Sequence, residues 1–391
     1  MDIQQIRKDT PACQDKLFFD SAGASLIPQV VVDEMQTYLS AEIQEGGYRV
    51  ADHFEKELAA MYTAVAQLIH CKPSQIAFAT SATDAYAKAL SAIPFEAGDV
   101  ILTTAMDYIS NQLFFLSLQQ RFPIKVVRAG NLANGDLDLD EMETLMKKYQ
   151  PKLTALTHIP TNTGLIQEAE AVGKLCKKYD SWYLLDACQS VGQAVVDVAA
   201  IGCDFLCATG RKFLRAPRGT GFLYVSTRVL ANDLAPLLFD AQGATWAATN
   251  HYMLVPDARR FEFFERNYAA MVGLKAAVVY LNTIGITEVF HYNQQLLERL
   301  RTQLLRLPKV QVYDYGSQLA NIVTFCVEGY TLEAIAEKLQ QANVYFSISR
   351  KHNAYIDFDN KGIDGVIRLS PHYFNTFEEI DTVVAIIAAL P

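Results

Sequence analysis

The chain has no excess of basic residues. Lys and Arg number 34 against 43 Asp and Glu, a formal net charge of −9 with both signs scattered. Nucleic-acid binding needs a basic patch or stripe, so that class of partner is excluded. No apolar run reaches membrane-spanning length. The opening stretch MDIQQIRKDTPACQDK lacks the apolar centre of a secretion signal. A cytoplasmic protein with no membrane partner is therefore expected. Repeats, low-complexity segments and Ser/Gly linkers are absent too, which excludes solenoids and strings of modules. Cysteine is sparse and odd in number: Cys13, Cys71, Cys176, Cys188, Cys203, Cys207 and Cys326. Most lie in apolar segments, so reduced thiols are expected rather than a disulfide framework. Cys203 and Cys207 have no second ligand pair at a suitable spacing, so no metal site is expected.

What is present is apolar residue in quantity: 51% of 391 residues, enough for a large domain and a smaller one. The middle of the chain alternates short β-rich runs with helical stretches. QIAFAT (75–80), DVILTTAM (99–106), IKVVRAG (124–130), LTALTHIP (153–160), WYLLDAC (182–188), DFLCATG (204–210) and GFLYVS (221–226) read as seven strands. This pattern predicts an α/β protein with a mainly parallel sheet, whose ligands bind beyond the carboxyl ends of the strands. From about 262 the texture changes to two long helices. Then come the strand NIVTFCV, a helix, the strands VYFSIS and GVIRLSP, and a closing helix. The expected division is a large α/β domain over 15–265 and a smaller α+β domain over 266–391, joined by residues 1–14.

Two residues raise the chemical question. Asp186 ends an apolar strand, and a buried carboxylate needs a cationic partner. Lys212 follows in a loop among Arg211, Arg215 and Arg218. Neighbouring cations and partial burial lower a lysine pKa and favour the free amine that Schiff-base chemistry requires. A solvated basic turn is the competing reading for Lys212, and a helix cap the competing reading for Asp186. Pyridoxal phosphate satisfies both residues: its pyridinium nitrogen pairs the acid and its aldehyde meets the amine. Gln189 then stands one helical step from Asp186.

D-x-x-Q followed at this spacing by T-G-R-K resembles the class V, or cysteine desulfurase-like, branch of the fold-type I pyridoxal-phosphate enzymes. The resemblance runs from LFFDSAGASLIP to the closing FEEID helix. It implies a seven-stranded sheet in the large domain and a homodimer with active sites at the interface. Lys212 would bond the cofactor covalently, Asp186 would pair the pyridine nitrogen, and Gln189 would contact the 3′-oxygen. Ala82 and Thr83 fall at the family's phosphate loop, where a strand turns into a helix. Thr209 and Arg211 match its other phosphate contacts, with Arg211 where the desulfurases commonly have His. Tyr108 matches the aromatic residue that stacks on the ring. Thr161 and Asn162 compete for one cofactor contact, because Gly164 counts back to the first and residue type favours the second. Arg368 matches the arginine that binds the substrate α-carboxylate. Tyr48, Arg49 and Asn267 are the residues expected to approach a partner subunit.

The resemblance stops short at one place. Cysteine desulfurases carry a nucleophilic Cys in the loop before that arginine, and here residues 347–365 contain none. Persulfide formation needs a thiolate within reach of the substrate sulfur. The expectation is therefore β-elimination at the C–S bond of a cysteine-derived substrate, an S-conjugate or a sulfoxide. This is the chemistry of the C–S lyase and isopenicillin-epimerase-like relatives. Epimerisation or transamination of an amino acid is the alternative, and cysteine desulfuration comes after both.

Overall fold

A computed structural model describes residues 1–390. Seven strands form the central sheet: β1 (Ile76–Ala79), β2 (Val100–Thr104), β3 (Lys125–Ala129), β4 (Leu153–Thr157), β5 (Trp182–Asp186), β6 (Phe205–Thr209) and β7 (Gly221–Val225). Their order across the sheet is β1-β7-β6-β5-β4-β2-β3, and only β7 runs against the rest. β1, β2, β4, β6 and β7 are buried along their whole length and β5 everywhere but at Trp182, which is why they read as near-continuous apolar runs. Helices cover both faces, and separate apolar clusters fill the two sides.

Register determines what meets at the carboxyl edge. Thr157 is opposite Asp186, and Asp186 is opposite Cys207. Gly221 lies between Ala79, the last residue of β1, and Thr209, the last of β6. The ends of five strands thus share one crevice, as expected for an open parallel sheet.

The smaller sheet is antiparallel, in the order β8-β9-β11-β10. Its strands are β8 (Val310–Val312), β9 (Val323–Val327), β10 (Ser347–Arg350) and β11 (Gly365–Leu369). The stretch VYFSIS, expected as one strand, is two. Val344–Tyr345 pairs in parallel with Leu17–Phe18, and only Ser347–Arg350 joins the small sheet. The same N-terminal segment continues to Asp20, which bridges to Ser370. The helix Tyr268–Ile284, with which the smaller unit was expected to begin, packs on the helices Gln29–Glu45 and Glu55–Leu68 and shares their apolar cluster. Among the described residues no single helix is long and apolar enough to cross a membrane, and all seven cysteines are unpaired.

Candidate active site

Lys212 follows β6 at the carboxyl edge and is 7% exposed. Its loop is held from below by Gly192, whose φ of +97° suits glycine; a Cβ there would lie 2.3 Å from the carbonyl carbon of Phe213. Among the described residues the Lys212 amine finds no hydrogen-bond acceptor, and it sits 5.7 Å from the centre of the Tyr108 ring. Burial lowers its pKa. The Arg211 and Arg368 guanidiniums push the same way, while Cys188 and Asp186 oppose. Arg215, expected to add to that pressure, points elsewhere. It is fully buried, donates to the Leu26 carbonyl (2.8 Å) and the Thr10 hydroxyl (2.5 Å), and lies 4.9 Å from the rings of Tyr373 and Phe374. Three residues past the lysine, its side chain straps down the N-terminal segment instead.

Asp186 is 4% exposed. Its carboxylate accepts from the Cys188 backbone N–H (2.9 Å) and from Asn111 Nδ2 (3.0 Å), and no cation pairs with it. The same Asn111 amide donates to Asp107 (2.9 Å), so one side chain orients two buried acids. Asp107 also accepts from Thr157 (2.6 Å), Gln112 (2.8 Å) and the Tyr108 backbone N–H (2.7 Å). Burial raises its pKa, and the hydrogen bonds partly offset this. The carbonyl of Asp186 meanwhile accepts from the His158 N–H, tying β5 to the loop after β4.

That loop carries both residues between which the sequence did not choose. Thr161 Oγ1 accepts from Gln189 Nε2 (2.7 Å) and from Arg368 (2.8 Å), whereas the Asn162 amide oxygen accepts from Ser349 (2.6 Å). Both residues line one cavity of about 240 Å³ with Tyr108, Arg211, Lys212, Ser347 and Arg368. Gln189 Nε2 also donates to the Ala22 carbonyl (3.1 Å), which uses both amide hydrogens. Its Oε1 is buried without a partner. Contact with a phenolate oxygen would replace one of these two bonds.

Ala82 and Thr83 open the helix Ala82–Ser91. Ser81 caps it by accepting from the Asp84 N–H, which leaves the first two amides without intrahelical partners. Ala82 is buried and Thr83 exposed. Thr209 lies across Gly221 from this turn, and its hydroxyl makes a long bond (3.4 Å) to the Thr220 carbonyl. Arg211 is tied back to the Gly23 carbonyl by one guanidinium nitrogen.

Arg368 stands on β11 between Thr324 and Ser347 of its neighbours. The resemblance gave this guanidinium a substrate carboxylate as partner; within the protein it meets Asp20, at 3.2 Å. Ser347 accepts from the same nitrogen (3.1 Å) and donates to Asp20 (2.6 Å), while Arg368 Nε is buried and unpartnered. Asn111, Asp107, Asp20, Ser347 and Ser349 were not singled out from sequence. Only Asn111 left a signal, one helical step after Tyr108.

The site offers a buried carboxylate lacking a cation, a buried amine lacking an acceptor, an orphaned amide oxygen and a helix N-terminus beside Thr209. Pyridoxal phosphate fits that donor set: pyridinium for the acid, carbonyl for the amine, phosphate for the helix end.

Comparison with known proteins agrees. A probable cysteine desulfurase of Methanothermobacter thermautotrophicus is 28% identical over 387 residues, 97% of this chain and 96% of that protein. The apo structure of a cysteine desulfurase from Thermococcus onnurineus superposes with a TM-score of 0.91 at 27% identity, covering 99% of this chain and 97% of the other. A complex between the cystine C–S lyase C-DES and its product cysteine persulfide shares the fold (TM-score 0.87, 22% identity, 97% and 99% covered). The model of the family described as aminotransferase class-V, a pyridoxal-phosphate-dependent family, matches residues 17–383. Its extent, together with the lysine, acid and glutamine at the carboxyl edge, means that this chain belongs to the aminotransferase class-V family.

Proposed function

We propose that this protein is a pyridoxal-phosphate-dependent C–S lyase acting by β-elimination on a cysteine S-conjugate or sulfoxide. One observation carries the choice within the family: no cysteine lines the cavity at Lys212. Cys326 is on β9, with its thiol against the Gly365 carbonyl (3.3 Å), and burial raises its pKa. Cys188 follows Asp186 and its thiol is near enough to act on Lys212, but it does not line the cavity and burial pushes its pKa up as well. Neither is a ready thiolate. The relatives' names favour cysteine desulfuration as the second reading.

Bound pyridoxal phosphate supplies an electron sink for the pair left at the substrate Cα. Asp186, oriented by Asn111, holds the proton on the pyridine nitrogen. Tyr108 supplies a π-face above the lysine. The amine of Lys212, lowered in pKa by burial, accepts the Cα proton. Arg368 holds the substrate carboxylate, with Asp20 and Ser347 fixing the guanidinium plane. The Cβ–S bond breaks with its electron pair on sulfur, a Cα–Cβ double bond forms, and a proton leaves with the sulfur group, as a thiol from an S-conjugate or a sulfenic acid from a sulfoxide. Water then converts the enamine product to pyruvate and ammonia.

A homodimer belongs to the same proposal. Tyr48 is 82% exposed, and Phe263 and Phe264, shortly before Asn267, are exposed too. Ile43 and Trp246 add exposed apolar surface. Asn267 instead caps its own helix by accepting from the Ala270 N–H. Sedimentation giving an active monomer would refute the dimer.

The reaction is tested by product analysis. Cys326→Ser and Cys188→Ser should each release pyruvate from a cysteine S-conjugate at close to the wild-type rate. Alanine and protein-bound persulfide as products, or loss of turnover in a folded Cys→Ser variant, would establish the desulfurase reading instead.

A further inference from the structure

A second cavity, of about 260 Å³, opens beside the first. Its walls are the helix Ile109–Arg121 on one side and residues 352–356 on the other. Ile109 and Asn353 line both cavities, so the two meet at that pair. The wall is apolar along Leu113, Leu116, Ala354 and Ile356, and Arg128 of β3 lies in it.

Arg128 is unusual in what it lacks. Its Nε and one terminal nitrogen both donate to the same neutral oxygen, Gln112 Oε1 (3.2 and 2.6 Å). Gln112 is fixed in turn by donating to Asp107 (2.8 Å). Among the described residues no acid pairs directly with Arg128, and its other terminal nitrogen has no partner. The residue is half-buried; burial disfavours its charge, while the carboxyl of Asp107, which lines the same cavity without bonding to it, acts the other way. A guanidinium withdrawn from water beside an apolar cavity, with one donor edge free, is suited to a carboxylate.

We infer that this second cavity is a leaving-group subsite, and that Arg128 selects conjugates whose sulfur substituent ends in a carboxylate. The substrate's amino-acid end is held at Lys212 and Arg368. The substituent passes between Ile109 and Asn353, lays its carbon chain along Leu113 and Leu116, and places its acid on Arg128. This inference rests on the lyase reading, because it assigns the cavity to the group borne on sulfur.

The experiment compares S-(2-carboxyethyl)-cysteine with its neutral isostere S-(2-carbamoylethyl)-cysteine as substrates of the holoenzyme. The wild type should prefer the acid by about tenfold in kcat/KM, the scale of one charge-assisted contact. Arg128→Gln should erase that preference, the acid and the amide then giving kcat/KM values within about twofold of each other. Arg128→Lys, which keeps a cation, should retain part of it. No preference in the wild type, or an unchanged preference in Arg128→Gln, overturns the subsite while the lyase reading stands. If neither conjugate yields pyruvate, the lyase reading fails. The subsite is then judged by calorimetric titration with the carbon analogues, in which methylene replaces sulfur and no thiol can leave. Tighter binding of the acid analogue that is lost in Arg128→Gln supports an anion subsite at Arg128; equal binding of acid and amide overturns it.

Discussion

Lys212→Met should stabilise the cofactor-free protein. The native site buries an amine that has no hydrogen-bond acceptor and no ion-pair partner. At neutral pH the unfolded chain carries that amine charged and hydrated. Folding withdraws most of the amine's hydration, so it must either partly desolvate the charge or remove the proton, at a cost of about 2 kcal/mol. Methionine fills nearly the same volume with no such cost. For 391 residues the unfolding entropy amounts to roughly 0.8 kcal/mol per degree, so the gain corresponds to about 2–3 °C in Tm. The pH dependence gives a sharper test. Burial lowers the folded-state pKa of Lys212 below its unfolded value, so the unfolded chain binds more protons between the two. Through this group, wild-type stability rises with pH across that window and levels off at the ordinary lysine pKa. The methionine variant lacks this contribution, so its advantage should be largest near pH 7 and shrink toward pH 10. Urea unfolding of both cofactor-free proteins at these two pH values decides the matter. A variant less stable than wild type, or an advantage that does not change with pH, would refute the argument from burial.

Borohydride reduction of the holoenzyme followed by peptide mapping should label Lys212. A label on Lys275 or Lys351, which pair with Glu34 and Asp359, would remove the catalytic assignment. Asp186→Asn should still bind the cofactor through Lys212 yet slow Cα-proton exchange by about a hundredfold or more, since a neutral amide does not hold the pyridine proton; near-normal exchange would reduce Asp186 to the cap of the turn at Cys188. Gly192→Ala places a Cβ 2.3 Å from the Phe213 carbonyl carbon at a φ of +97°, and should cost about 2 kcal/mol or more in urea unfolding. Its cofactor affinity should fall with the displacement of the Lys212 loop, and a loss below about 0.5 kcal/mol would show that the loop gives way freely.

Read along the chain, the sequence determines the α/β class, the seven strands of the large sheet and the placement of Asp186 and Lys212 at its carboxyl edge. The reason is local: a parallel strand buried on both faces is a short apolar run, and catalytic residues of such a sheet fall where those runs stop. Asp186, Thr209 and Tyr108 lie at or just beyond such stops. What surrounds them depends on contacts between residues far apart in the chain. Arg368 meets Asp20 across 348 positions, because Leu17–Phe18 pairs with Val344–Tyr345 and carries the acid to the small sheet. Asn111 meets Asp186 only because β2 lies next to β4, and β4 next to β5. Arg215, three residues from Lys212 and cationic, turns away to Thr10 and Leu26, since a left-handed backbone (φ +60°) redirects its side chain. Arg128 had no signal at all: one charged residue on an edge strand reads as solvated until a helix and the 352–356 segment close over it. Periodicity reports which way a side chain faces within its own element, whereas the partner it meets is decided by the order in which strands assemble and by the docking of the small sheet on the large one.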